Sequence, residues 1–167
     1  VGFILKKISA IIPCYKVEAA LPFFLQEIRK VADYMSATYN LEFEMLFIDD
    51  GSSDNTLSIL REAAKQDPRI RYISFSRNFG KEAAMFAGFQ NCTGDYAAVM
   101  DADMQDPPSL LQEMYESLLT GQFDSVATRR VSRRGEPPIR SFFARCFYRL
   151  INKISDADIV DGARDFR

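Results

Sequence analysis

Tyr96-Ala97-Ala98-Val99-Met100-Asp101-Ala102-Asp103-Met104-Gln105-Asp106-Pro107-Pro108 is the stretch from which the rest of the chain can be read. Tyr96 to Met100 is a short apolar, β-compatible run, and it stops at a loop that carries Asp101, Asp103 and Asp106. Pro107-Pro108 then opens a helical pattern through about Leu119, because proline suits a first helical turn. Clustered acidic side chains after a buried strand repel one another unless a cation or hydrogen bonds compensate. Hard oxygen ligands of this kind suit Mg²⁺ or Mn²⁺, which share their remaining positions with water and substrate phosphates. For a lone Asp-x-Asp, loop and helix-capping roles are the competing reading. The flanking elements and three companion loops favour the cation.

Upstream, strand and helix patterns alternate. Lys7 to Ile12, Phe43 to Ile48 and Ile70 to Phe75 read as strands. Helical periods run from about Glu18 to Met35, from Asp54 to Lys65 and from Lys81 to Gln90. Ser125 to Thr128 reads as a short fifth strand. Strands separated by helices of this length imply βαβ units, and so an α/β fold with a mostly parallel central sheet flanked by helices. In such sheets ligands bind beyond the carboxyl ends of the strands. The polar clusters fall there: Pro13-Cys14-Tyr15, Asp49-Asp50-Gly51-Ser52, Ser76-Arg77-Asn78-Phe79-Gly80 and Asp101 to Gln105. Gly51 and Gly80 suit tight turns near a ligand. The chain has no G-x-G-x-x-G, which disfavours a dehydrogenase.

Composition narrows the chemistry further. The 167 residues suit one compact domain. No histidine is present, which excludes Ser-His-Asp and Cys-His catalysis and His-containing zinc sites. Cys14, Cys92 and Cys146 are odd in number and far apart, so reduced thiols are the simplest reading. A formal net charge of −2 argues against a nucleic-acid partner. The charge is uneven, however: Arg129 to Lys153 holds seven Arg and one Lys against the single Glu136. That excess points to a local anionic partner, phosphate or a membrane surface. No apolar run is long enough to span a bilayer. The lack of an initiating Met and the stop at Asp165-Phe166-Arg167 give the expectation of a piece of a longer membrane protein.

Asp49-Asp50-Gly51-Ser52-Ser53-Asp54, taken with Met100 to Pro108, resembles the family 2 glycosyltransferases of the GT-A nucleotide-sugar-binding fold. Ser76-Arg77-Asn78-Phe79-Gly80-Lys81-Glu82-Ala83-Ala84 resembles the polyprenyl-phosphate branch of that family, which includes bactoprenol glucosyltransferases and dolichol-phosphate mannose synthases. The resemblance implies that Asp101 and Asp103 hold the metal, with Gln105 as a further ligand or neighbour and Ala102 between them. Pro13, Tyr15 and Asp50 would line the base and ribose pocket, with Ile48 packed beside them. Arg129 matches a family arginine that contacts phosphate, and Asp165 opens the late acidic motif near the acceptor. The family's Asn-Glu-Glu after the tyrosine is here Lys16-Val17-Glu18, so Glu18 alone remains to substitute for the acidic pair. Three residues keep a second reading. Tyr15 suits core packing as well as stacking, Asp50 suits a helix cap, and Lys81 suits a solvated turn as well as a phosphate contact.

These implications divide the chain into a nucleotide-sugar-binding core over 1–130 and an acceptor-side region over 131–167. In the latter, Phe143, Phe147, Leu150, Ile151 and Ile154 share one helical face, with Arg140, Arg145, Arg149 and Lys153 mostly elsewhere. A helix packed on the domain would show this pattern. So would an interfacial helix over 139–154 on an anionic membrane, which the excess of Arg and Phe favours. The expected activity is inverting transfer of a hexose from a nucleotide-sugar donor, UDP-glucose ahead of GDP-mannose, to a polyprenyl (undecaprenyl) phosphate. The expected location is the cytoplasmic face of a bacterial inner membrane. A transferase acting on a glycan hydroxyl and a non-catalytic nucleotide-sugar-binding or membrane-anchoring module are the rival readings.

Overall fold

The computed structural model describes residues 5–128. Four strands and four helices alternate: β1 (Lys7–Cys14), α1 (Leu21–Tyr39), β2 (Glu42–Asp49), α2 (Thr56–Gln66), β3 (Ile70–Ser74), α3 (Lys81–Asn91), β4 (Tyr96–Val99) and α4 (Leu110–Leu119). All neighbouring strands are parallel, in the order β3-β2-β1-β4. The α/β reading of the sequence holds, and, the fifth strand apart, the expected elements start and stop within a few residues of the observed ones.

The two central strands are apolar on both faces because both faces are covered, as parallel sheets require. Ile8, Ala10, Ile12 and Cys14 of β1 face a large core closed by α1, α2 and α4. Ile11 of β1, with Leu46, Ile48 and Val99, faces a smaller core under Ala84 of α3. The molecule is therefore a three-layer sandwich with three helices on one side and α3 on the other.

Two boundaries differ from the sequence expectation for local reasons. α1 begins at Leu21 rather than Glu18, because residues 18–20 form a turn and Pro22 takes the first helical turn. It runs past Met35 to Tyr39, and Asn40, with a left-handed φ of 51°, ends it. The expected fifth strand at Ser125–Thr128 does not form: these residues carry no strand assignment, and β4 pairs only with β1 among the described residues. Its apolar member Val126 still packs against the core. An apolar alternation records burial, but a strand also needs a ladder partner.

Candidate functional site

The sheet's order places a topological switch between β1 and β4. The chain leaves β1 toward β2 and β3 and returns through α3 to the other side of β1, so the loops after β1 and β4 part there. Register brings β1 and β2 to the same edge, Cys14 opposite Asp49, while β4 stops opposite Ile11, so the chain that follows Val99 continues beside the last residues of β1. The four polar loops anticipated from the sequence thus leave one edge together.

Hydrogen bonds lock these loops to each other. Asp49 is buried, with Oδ1 accepting from the Ser52 N–H at 3.1 Å and Oδ2 from the Ser74 hydroxyl at 2.8 Å. Asp50, also buried, spends both oxygens on the loop after β3: Phe79 N–H at 2.7 Å and Gly80 N–H at 2.9 Å. Gly51 has φ +66°, and a Cβ there would lie 2.3 Å from the Arg77 carbonyl carbon, so the two loops touch backbone to backbone. On the other side, the N–H groups of Lys16, Val17 and Glu18 donate to Ser52 Oγ, Thr56 Oγ1 and Asp54 Oδ2. The Glu18 carboxylate accepts from the Asn55 backbone at 2.8 Å and its side-chain amide at 2.9 Å. Much of the Asp49-to-Asp54 motif is therefore the fastening of three loops. A loop so held is pre-organised for a ligand.

The fastened loops enclose a cleft of ≈ 210 Å³ lined by Pro13, Tyr15, Asp50, Asn78, Lys81 and Asp101, with Cys14, Gly80 and Ala84 completing the wall. Its electrostatics centre on one ion pair: the Lys81 ammonium lies 2.8 Å from Asp101 Oδ1 and 2.9 Å from Oδ2. Lys81 is the first residue of α3, so the amino end of that helix borders the same cleft, an arrangement suited to an anion. Tyr15 stands exposed at the mouth, with Lys16 over its ring at 5.2 Å. Burial first, then the Asp49 and Asp101 charges, push the Cys14 thiol far above its ordinary range. It is a neutral wall residue, not a thiolate nucleophile or soft metal ligand.

Past Asp101 the chain turns sharply. Ala102 is buried in the large core and anchors the loop, while Asp103 is exposed. The Asp103 Oδ1 accepts from the Gln105 N–H at 2.9 Å, closing a turn in which Met104 takes a left-handed φ of 62°. A non-glycine residue held in that region is strained, and such strain gathers at functional sites. No group of three or more His, Cys, Asp or Glu side chains that could hold a metal is present among the described residues. Two carboxylates flanking a buried alanine instead suit a cation that completes its shell with water and ligand phosphate. That Asp101 already attracts a cationic group agrees with such a donor set.

Of the residues singled out in the sequence, Pro13, Tyr15, Asp50, Lys81 and Asp101 meet in the cleft. Asp103 and Gln105 lie on the adjoining turn. Ile48 belongs to the small core under α3, Ala102 to the large one, and Glu18 is committed to Asn55. Arg129, Asp165, the basic loop and the 139–154 segment lie outside the described residues. Asn78 and Cys14 line the cleft without having been assigned a role beforehand. The signal for Asn78 was a polar residue between Arg77 and Gly80 in a loop at the carboxyl edge. A second cavity of ≈ 200 Å³ sits between β4 and α4, beside Ile8, Tyr96, Met114, Tyr115 and Val126. It adjoins the amino ends of β1 and β4 and is lined by Asp95 and Asp124, but by none of Asp49, Asp50, Asp101 and Asp103.

Comparison with known proteins agrees with this architecture. Residues 9–167 match the model for glycosyl transferase family 2. The chain is 40% identical over 160 residues to the putative glycosyltransferase CsbB of Bacillus subtilis, covering 96% of this chain and 47% of that protein. It is 38% identical over 161 residues to the bactoprenol glucosyl transferase of Shigella phage SfX, covering 96% of this chain and 51% of that one. The chain thus spans about half the length of the curated relatives it matches. Among solved structures, the mannosyltransferase PcManGT from Pyrobaculum calidifontis, in complex with GDP-Man and Mn²⁺, superposes with a TM-score of 0.51 at 24% identity. That match covers 60% of this chain and 28% of that one, and shows a shared fold. With its parallel sheet, its carboxyl-edge cleft and these matches, the chain belongs to glycosyl transferase family 2 and has the GT-A fold.

Proposed function

We propose that this chain is the donor-binding catalytic part of an inverting hexosyltransferase that moves glucose from UDP-glucose to a polyprenyl phosphate at the cytoplasmic face of a bacterial membrane. The observation that carries the reading is the meeting of Asp50, Lys81 and Asp101 in one cleft at the sheet's switch point, beside the Asp103 turn. Its likeness over 96% of its length to a bactoprenol glucosyl transferase supports the glucosyl donor and the lipid phosphate acceptor.

In this reading Asp101 and Asp103 hold Mg²⁺ or Mn²⁺, with Gln105 beside them. The bound cation supplies positive charge against the donor's diphosphate. Tyr15 and Pro13 flank the base, while Asp50 fixes the Gly80 loop and keeps a lone pair on each oxygen for the nucleoside. Lys81 and Arg129 meet the phosphates, where negative charge grows as the leaving group departs. An acceptor phosphate oxygen attacks the anomeric carbon from the opposite face. The new C–O bond forms as the bond to the donor's β-phosphate oxygen breaks, and the nucleoside diphosphate leaves. A phosphate monoester has a second pKa of about 6, so the nucleophile is already ionised and no general base is required. Asp165 then serves to position the acceptor. Arg130, Arg133 and Arg134 draw in its headgroup, and the 139–154 segment lies on the anionic membrane surface.

The test is a transfer assay on the protein in its native membrane with radiolabelled UDP-glucose, GDP-mannose and undecaprenyl phosphate. A glucose-bearing lipid, formed only with a divalent cation, is the expected product. Transfer to a glycan hydroxyl but not to the lipid phosphate would overturn the acceptor. Nucleotide binding without any transfer would overturn catalysis.

A further inference from the structure

Helix α3 is apolar on two sides. Ala84 and Gly88 are buried against the sheet, so close that a Cβ on Gly88 would lie 2.2 Å from the Ile11 side chain. On the opposite side Phe86 and Phe89 stand 63% and 47% exposed, and residues three apart are neighbours on a helix surface. Phe79, just ahead of the helix, is 53% exposed, although its ring meets Phe75 edge to face. Glu82 is the one acidic residue of α3, and its Oε2 lies 3.6 Å from where a Cβ on Gly80 would be, back at the helix start. The exposed Arg77 guanidinium lies over the Phe79 ring at 4.8 Å and pairs with no carboxylate among the described residues. A helix that is apolar all round is covered by protein or by lipid.

Area and charge choose between the two. At about 200 Å² for a phenylalanine, the exposed parts of the three come to roughly 300 Å². A stable protein interface takes about 800 Å² from each partner, so the patch is too small for a second copy of this chain. It is enough for a lipid surface, where each aromatic side chain enters the headgroup boundary on its own. Arg77 adds the cation that anionic headgroups attract. Phe79 also sits between Asn78 and Gly80, both in the wall of the cleft, so lipid at this face lies beside the cleft. We propose that Phe79, Phe86 and Phe89, with Arg77 beside them, form a face that docks on an anionic bilayer and holds the cleft at the lipid surface. The choice of lipid rests on the reading of a polyprenyl phosphate as acceptor. What it adds is a face on the sheet domain itself, besides the 139–154 segment, that meets the membrane.

The chain contains no tryptophan, so Phe86→Trp and Phe89→Trp each place a lone indole on this face. Its emission is read on the 167-residue chain with phosphatidylcholine vesicles, with and without phosphatidylglycerol, and with bromine-labelled acyl chains. A blue shift on the anionic vesicles and quenching by bromine are expected at both positions. The double change Phe86→Ser, Phe89→Ser should weaken vesicle binding about tenfold or more. Arg77→Gln should weaken it about fivefold at low salt and less at high salt. The rise in melting temperature on adding UDP should match the parent's in the double serine variant, which shows that fold and cleft are intact. Indoles that stay in water while the chain binds vesicles would assign the contact to another surface, such as the 139–154 segment, and overturn the proposal. So would a blue shift without lipid: at every dilution it means that this chain's own residues cover the face, and one that grows with protein concentration means that a second copy does. Failure to bind either vesicle overturns it too. The acceptor reading fails separately, in the transfer assay: indoles quenched by lipid, in a protein that forms no glucose-bearing lipid, would keep the docking face and remove that acceptor.

Discussion

Two carboxylate clusters sit at opposite ends of the same sheet, and they are built on different plans. At the amino end, Glu44 of β2 is buried and fully engaged: Ser9 donates to it, the Thr93 N–H does so at 3.0 Å, and Arg71 closes the set as an ion pair. Ser9 in turn accepts from the Gly94 N–H at 2.8 Å, so nothing in the cluster is spare. At the carboxyl end, Asp49 and Asp50 are likewise buried, each oxygen held by one backbone or hydroxyl donor. Asp101 and Asp103, on the loop after β4, are not: one is part-exposed beside the Lys81 ammonium and the other is exposed with a turn-closing bond. The same residue types thus make a permanent joint in one place and an exchangeable site in the other. Burial separates the two, not charge.

The largest expected effect lies on the exchangeable side. Asp103→Ala should lower glucosyl transfer by about a hundredfold or more, as losing a group that stabilises leaving-group charge does. Stability should change by no more than about 1 kcal/mol, since Asp103 is exposed. A transfer assay paired with denaturant melts reads both. A variant that loses its fold along with its activity would place Asp103 with the permanent joints instead.

Gly51→Ala attacks the fastening between them. The added methyl would meet the Arg77 backbone at 2.3–2.7 Å, in a φ region that side chains rarely adopt. The loop after β3 must move, carrying the N–H groups that Asp50 holds. A loss of about 2–4 kcal/mol is expected, combining strain with a disrupted buried network. Nucleotide binding should weaken in the fraction that stays folded. Urea unfolding and nucleotide titration measure the two parts.

Glu44→Gln probes the other end and should leave nucleotide binding unchanged. Burial by itself raises the Glu44 carboxyl, but hydrogen bonds from Ser9, the Thr93 N–H and Arg71 outweigh it and hold the group below its ordinary 4.5. A depressed carboxyl contributes stability that is complete above the unfolded value, here 4.5, and that fades as pH falls through the lower folded one. The variant should therefore lose about 1–3 kcal/mol at pH 7, with the gap to the parent narrowing below pH 4.5. Unfolding curves across that window check the sign.

The sequence was legible where local pattern decides and opaque where long-range register does. The acidic loop after Met100 could be placed at a strand's carboxyl end because the apolar run stops there, and Pro107-Pro108 marked the next helix. Convergence of four loops followed from parallel βαβ topology alone. That Asp50 grips Phe79 and Gly80, or that Gly51 lies under Arg77, depends on how β2 sits beside β3, with Asp49 opposite Ser74. No window of residues contains that register. Ile48 shows the same limit. It is two residues from Asp50, yet its side chain faces the core under α3. Ser125–Thr128 fails differently: its apolar character reports Val126's burial, not a ladder.

The smallest effect sharpens the border between joint and site. Family likeness would assign an acidic residue after Tyr15 to the nucleotide, and Glu18 is the only one this chain offers there. Its carboxylate instead holds Asn55 through backbone and side chain, at the residue that precedes α2. Asn55 makes no side-chain cap of its own, so Glu18 supplies from a distant loop the acceptor that a helix start needs. Glu18→Gln keeps one acceptor oxygen but loses the charge near the helix's positive end. It should cost about 0.5–1 kcal/mol of stability and leave UDP affinity within error of the parent. A fall in UDP affinity at unchanged melting temperature would move Glu18 across the border, since a residue that only fastens α2 cannot weaken the nucleotide without loosening the fold.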